Sequence, residues 1–182
     1  YLLNARNRTL TMLGARSGLP LQAQTAPPGT LLYDQGRLYL AAAWTLFCHD
    51  AANLQPLWQG TCLQGTYGAV LSEGMILTID SYSQQRNAAN KLVMARRFQA
   101  TSADTGDAPW TVQKEWKNEW YVKMHPPTTT GWFMTVAGEG SAFISFNGQV
   151  QRLDLKTGKD GWSATSAKVT SAFDVPSMAL KE

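Results

Sequence analysis

Asp154-Leu-Lys-Thr-Gly158-Lys-Asp-Gly-Trp162 is the clearest of four related nine-residue phrases in this 182-residue chain. The others are Asp50-Ala-Ala-Asn-Leu54-Gln-Pro-Leu-Trp58, Ser102-Ala-Asp-Thr-Gly106-Asp-Ala-Pro-Trp110 and, most altered, Gly14-Ala-Arg-Ser-Gly18-Leu-Pro-Leu-Gln22. Their central positions, 18, 54, 106 and 158, lie 36, 52 and 52 residues apart. A strand-like stretch precedes each phrase: Leu10–Leu13, Leu46–Cys48, Leu92–Met94 and Val150–Leu153. The Asp or Ser opens a turn by bonding its own backbone, the glycine supplies a positive φ, and the Trp begins the next apolar stretch. One indole buries about 150–250 Å², so a Trp at one fixed site per unit can dominate the contact between neighbouring units.

Self-similarity at this period signals a repeat architecture, and strand-forming repeats of this length are propeller blades. The expected fold is all-β: a β-propeller of four-stranded antiparallel blades in an incomplete ring. The units run 1–24 (the end of a blade), 25–60, 61–112, 113–164 and 165–182 (the start of the next). Four unrelated Asx-type turns in a β-sandwich are the weaker reading, because the copies stand in register and three end in Trp. Trp58, Trp110 and Trp162 are therefore expected to be largely buried at equivalent positions. Asp34-Gln35-Gly36 and Ser72-Glu73-Gly74 read as turns between strands, and Asn147-Gly148 is the strongest short hairpin signal in the chain. Polar, aperiodic Ser81–Asn90 reads as an exposed loop that lengthens the period. Lys114–Glu119 could form at most a short turn, and no helix is expected.

Composition agrees: 44% of residues are apolar and 16% charged, against a usual charged share of about a quarter. The net charge of +3 is mild and the Lys and Arg are scattered, which argues against nucleic acid as a partner. No apolar run approaches the ~18 residues that cross a membrane. The chain begins at Tyr1 inside a strand, as a processed or partial polypeptide would. Cys48 and Cys62 flank the second phrase on successive strands. They read either as a disulfide, in an oxidising compartment, or as two small buried apolar groups.

The phrase Arg152-x-Asp154-x-x-Thr157-Gly158-Lys159-x-x-Trp162 resembles the tryptophan-docking repeat of the quinoprotein, or PQQ-type, β-propeller family. Ala100, Thr105, Gly106 and Trp110 match it in the third phrase, and Asp50 and Trp58 in the second, which lacks the Gly; the first keeps Gly18. The resemblance implies that each Trp packs on the turn of the adjacent blade, in rings of roughly seven or eight blades. It also implies that blades beyond these close the ring. Apolar faces would otherwise stay open, with Leu2, Leu10, Met12 and Leu13 near the first and Trp162, Val169 and Phe173 near the last.

Dehydrogenases of that family hold Ca²⁺ with a Glu, an Asn and an Asp, use a further Asp as base and often carry a vicinal Cys pair. None of Glu73, Glu115, Glu119, Glu139 and Glu182 stands in such a setting, and the two cysteines are 14 apart. No cofactor or metal ligand is therefore carried over, and no cofactor is expected. His49 and His125 are isolated and read as structural. Gly138-Glu139-Gly140-Ser141 lacks the helix and Lys of a phosphate loop and reads as a strand-joining turn. Trp116, Trp120 and Trp132 could grip a sugar or peptide, although packing is the stronger reading for them. The leading expectation is a non-catalytic propeller segment, outside the cytoplasm, that serves as a scaffold for a protein partner or for further blades. The family's outer-membrane assembly lipoprotein is the nearest functional analogy. The alternatives are a fragment of a PQQ-dependent dehydrogenase and a sugar- or ligand-binding module.

Overall fold

Strand β5 (Arg37–Ala42) is buried along almost its whole length, on both sides. Leu38, Leu40 and Ala42 enter one apolar core while Tyr39 and Ala41 enter another. A strand packed on both faces shows a continuous apolar run instead of alternation, and this one places its sheet between two others. The computed structural model describes residues 1–63, 69–80, 83–86, 88–90, 92–116, 134–146 and 149–165.

Those residues form strands alone, in four antiparallel sheets. Sheet 1 holds β1 (Leu2–Asn4), β2 (Thr9–Leu13) and β3 (Pro20–Thr25). Sheet 2 runs β4 (Thr30–Asp34), β5, β6 (Thr45–Asp50), β7 (Pro56–Thr61). Sheet 3 contains β8 (Ala69–Ser72), β9 (Met75–Ile79), β10 (Ser83–Arg86), β11 (Leu92–Ser102) and β12 (Trp110–Trp116). Sheet 4 runs β13 (Met134–Gly138), β14 (Ser141–Phe146), β15 (Gln149–Asp154), β16 (Asp160–Thr165). In sheets 1, 2 and 4 strand order follows chain order, so each is a meander; in sheet 3, β9 pairs directly with β11 and β10 also pairs with β11. The innermost strands β4, β8 and β13 lie side by side. This is a β-propeller arc whose ring is not closed.

Three cores hold the arc together, one at each junction. Leu10, Leu38, Leu40 and Leu54 fill the first, between sheets 1 and 2. Tyr39, Leu46, Cys48 and Ile76 fill the second, and Leu77, Phe98, Ile144 and Leu153 the third. Leu10 is fully buried and Met12 packs beside it, which corrects their expected place on an open face. Both cover sheet 2, because even positions of β2 point inward to the arc.

Two other expectations are corrected. Residues 83–86, expected in a loop, form β10, which pairs with Leu92–Ala95 of β11. β11 is 11 residues long and reaches past the end of β9, so its exposed edge takes β10 as a continuation of the same hairpin. The register slips by one residue between β9 and β10, and Asp80 clamps the slip. Its carboxylate accepts the Arg97 N–H at 2.9 Å and the Arg97 Nε at 2.6 Å, while its carbonyl accepts Arg96 Nη1 at 3.1 Å. Lys114–Trp116 is likewise strand, because the same long β11 offers it a partner as far as Met94. Residues 117–119 lie outside the described residues.

Candidate functional site

The four phrases fold into one turn made four times. In each, the first residue's N–H donates to the carbonyl five residues on, and its carbonyl accepts the N–H four residues on. The pairs are Gly14 with Leu19 and Gly18, Asp50 with Gln55 and Leu54, Ser102 with Asp107 and Gly106, and Asp154 with Lys159 and Gly158. The residue fourth after the start is left-handed every time, with φ 66° at Gly18, 56° at Leu54, 81° at Gly106 and 70° at Gly158. Side chains complete the turn: Asp154 Oδ1 accepts the Thr157 N–H and hydroxyl, both at 2.8 Å. Those bonds hold the Asp154 carboxyl below its ordinary range. Asp50 Oδ1 accepts the Ala52 N–H at 2.7 Å.

The second, third and fourth turns each receive a side chain from the preceding sheet. Trp58 lies on Gly106, where a Cβ would come within 2.7 Å of the ring, and its Nε1 donates to the Ala103 carbonyl at 3.2 Å. Trp110 lies on Gly158, with a Cβ at 2.8 Å, and its Nε1 donates to the Leu155 carbonyl at 2.9 Å. The turn that begins at Asp50 receives no indole. Gln22, at the Trp position, donates to the Asn53 carbonyl at 2.8 Å, and the Tyr1 hydroxyl donates to the Ala51 carbonyl. That difference explains Leu54: with no ring against the turn, the left-handed site tolerates a side chain, which is buried in the first core. Arg37 reinforces the Trp58 joint by donating to the Ala103 carbonyl at 3.2 Å and to Asp104 at 2.7 Å.

Trp162 departs from expectation. Trp58 and Trp110 are half-buried, whereas Trp162 is 49% exposed. Its ring centroid stands 6.0 Å from that of Phe143 in its own sheet, and no fifth sheet covers it among the described residues.

Cys48 and Cys62 are free, buried thiols, the second of the two readings the sequence leaves open. Cys48 stands opposite Trp58, four residues before Cys62, or about 13 Å along the strand. A disulfide spans Cα atoms only about 4.4–6.8 Å apart. Burial pushes both thiols up to about 11. His49 Nδ1 donates to the Leu54 carbonyl at 3.1 Å. Trp116 belongs to β12, opposite Met94. Trp120, Trp132, His125, Val169 and Phe173 lie outside the described residues.

A groove of about 440 Å³ runs along the inner strands β4, β8 and β13. Leu32, Tyr33, Asp34, Glu73 and Val136 are among its walls. At its rim the exposed ring of Tyr33 stacks on exposed Tyr1, with centroids 6.4 Å apart. Sequence reasoning missed this pair. The signal was Tyr33 itself, which precedes its hairpin turn where the equivalent positions are Leu71 and Ala137. Stacked phenols beside the carboxylates of Asp34 and Glu73 suit a peptide or a hydroxyl-rich ligand. Among the described residues, no group of three His, Cys, Asp or Glu side chains could hold a metal ion.

No family model and no curated protein sequence matches the chain. Solved structures do, at low identity. A europium-containing methanol dehydrogenase is 18% identical with a TM-score of 0.44, over 75% of this chain and 24% of its own length. The quinohemoprotein alcohol dehydrogenase of Comamonas testosteroni is 17% identical with a TM-score of 0.43, over 76% of this chain and 21% of its own. The dihydro-heme d1 dehydrogenase NirN is 9% identical with a TM-score of 0.45, over 91% of this chain and 43% of its own. The chain thus spans less than half the length of each of these structures.

Proposed function

We propose that the chain is a non-catalytic arc of a quinoprotein-like propeller that serves as a protein-binding scaffold outside the cytoplasm. The observation that carries this reading is the combination of a rigid frame with an open aromatic rim. Three inter-sheet cores, two of them pinned by a docked indole, hold the inner strands in fixed relation. The Tyr1–Tyr33 stack then presents two exposed rings beside the groove. Rigid aromatic anchors cost little conformational entropy to bind and are enriched at protein interfaces. Units 1–24, 25–60, 61–112 and 113–164, with a further one opening at 165–182, are the blades of this reading. No helix among the described residues is long and apolar enough to cross a membrane.

The test uses the purified chain as bait for defined peptides by isothermal titration. Binding that Tyr33→Ser weakens at least tenfold supports a rim-centred scaffold; binding indifferent to it removes the rim. The resemblance of the repeat phrase to that of quinoprotein dehydrogenases sets the other arm. Addition of PQQ and Ca²⁺, followed by cofactor absorbance and dye-linked alcohol oxidation, should leave the chain inactive. Turnover would overturn the scaffold reading and assign the arc to a dehydrogenase.

A further inference from the structure

The groove between the inner strands is lined by unbroken runs of residues: 32–34 of β4, 69–73 of β8 and its turn, and 135–137 of β13. Successive side chains of a strand point to opposite faces, so a groove on one face of a sheet would be lined by every second residue. Unbroken runs mean that strand edges face it. Val70 and Leu71 agree: the first packs into the third core and the second into the second core, which leaves the backbone between them toward the groove. β4, β8 and β13 are each the end strand of their sheet, and an end strand offers a row of backbone N–H and C=O groups to an added strand. The hairpins that close these three strands share one turn, with φ 45°, 46° and 51° at Gln35, Glu73 and Glu139 before a left-handed glycine. That turn brings Asp34, Glu73 and Glu139 to the same end of the inner strands. Gly140 seats Glu73 there: its N–H donates to Ser72 Oγ at 3.2 Å, and a Cβ on it would stand 2.9 Å from Glu73 Oε2. Lys156 lies 3.6 Å from Glu73 with both partners exposed, and Arg37 is committed to Asp104 at 2.7 Å. Among the described residues, Asp34 and Glu139 form no ion pair, in a chain whose net charge is +3.

We propose that the groove binds an extended, basic peptide segment of a partner protein. A Lys or Arg of that segment reaches Asp34 and Glu73, and its apolar neighbours lie along the partly buried Leu32 and Val70. The open strand edge selects an extended backbone, because main-chain bonds to an edge give affinity while side-chain pockets give specificity. The carboxylates select the charge, since complementarity steers encounter and rejects acidic partners. The groove holds about 440 Å³ and β8 is 4 residues long, or about 13 Å of strand, which suits a segment of about four residues. The inference rests on the scaffold reading and names the chemistry of its partner.

Fluorescence anisotropy of a capped, dye-labelled Val-Lys-Val-Lys-Val peptide on the 182-residue chain is the test. The peptide should bind roughly tenfold tighter than its counterpart with Glu for Lys, and its affinity should fall as salt rises. N-methylation of alternate amides should cost about fivefold or more, the worth of one backbone bond. Asp34→Asn and Glu73→Gln should each weaken binding about threefold, and both together about tenfold. Lys156→Gln removes the competing cation and should tighten binding about twofold, a gain that misfolding cannot mimic. The Asp34→Lys, Glu73→Lys double variant should prefer the Glu peptide. No binding of the Lys peptide, equal binding of both peptides, indifference to the two carboxylates, or indifference to N-methylation would each overturn the proposal. Binding of neutral peptides that Tyr33→Ser weakens and the carboxylate variants leave unchanged would remove the basic segment and keep the scaffold reading. Failure of peptides of every charge would remove both.

Discussion

Leu54 and Gly106 occupy the same left-handed position of the same turn, and what differs is the group resting on it. A side chain at positive φ costs about 1 kcal/mol by itself. A side chain beneath a docked indole adds an overpacking cost of about 1–3 kcal/mol. Gly106→Ala and Gly158→Ala should therefore destabilise the chain by more than Gly18→Ala, and the difference should vanish in a Trp58→Ala or Trp110→Ala background. Urea unfolding of the single and double variants measures this. The buried thiols supply a second residue-level expectation. Desolvation raises Cys48 and Cys62 to about 11 from an ordinary 9.0. Both should resist maleimide at neutral pH in the native state and react on unfolding. The folded value lies above the unfolded one, so the native state holds these protons more tightly. The associated stability is complete below pH 9 and declines as pH rises toward 11. A Cys48→Ala, Cys62→Ala double variant should show a shallower alkaline loss.

At the scale of elements, the sheets are joined by docking and the hairpins are shaped by local polar clamps. Removing an indole from a joint opens a cavity between two sheets, and Trp58→Ala or Trp110→Ala should cost about 3–5 kcal/mol. The Asp80 clamp acts differently, since it secures a register slip within one sheet. Asp80→Ala strands the Arg97 N–H and should cost about 1–3 kcal/mol. Hydrogen exchange should quicken in residues 83–86 and 92–95 and leave β5 and β6 unchanged. A uniform acceleration throughout the chain would show that the clamp is not local. The insertion there was visible as a lengthened period and a polar stretch. Its pairing was not visible, because β10 gains its backbone partners from the far end of β11 and not from any apolar pattern of its own.

At the scale of the whole molecule, the cores among the described residues each join neighbouring sheets, as in other repeat proteins. Stability should then behave as a sum of sheet and joint terms, and weakening one joint should uncouple the parts it connects. Trp58→Ala is expected to split chemical unfolding into two transitions, sheets 1 and 2 separating from sheets 3 and 4. Fluorescence and circular dichroism would then cease to coincide. A single sharp transition with an unchanged denaturant dependence would show cooperativity carried by something other than the joints.

The four phrases were enough to specify the repeat, its turn and its all-strand character, because those depend on residues close together in the chain. Asp, Ser and Gly shape a turn wherever they stand, and a Trp eight residues on marks the same strand each time. The candidate groove depends on residues far apart. Tyr1 meets Tyr33 only when sheet 1 packs against sheet 2, and the two cysteines are kept apart by a strand register that spacing alone does not set. Burial of the three anchors was decided in the same way. Trp58 and Trp110 are partly covered because the next turn lies against them, and Trp162, in the clearest copy of the phrase, stays exposed because no described turn follows. A residue's local conformation is written in its neighbours, but its burial is a property of what packs against it.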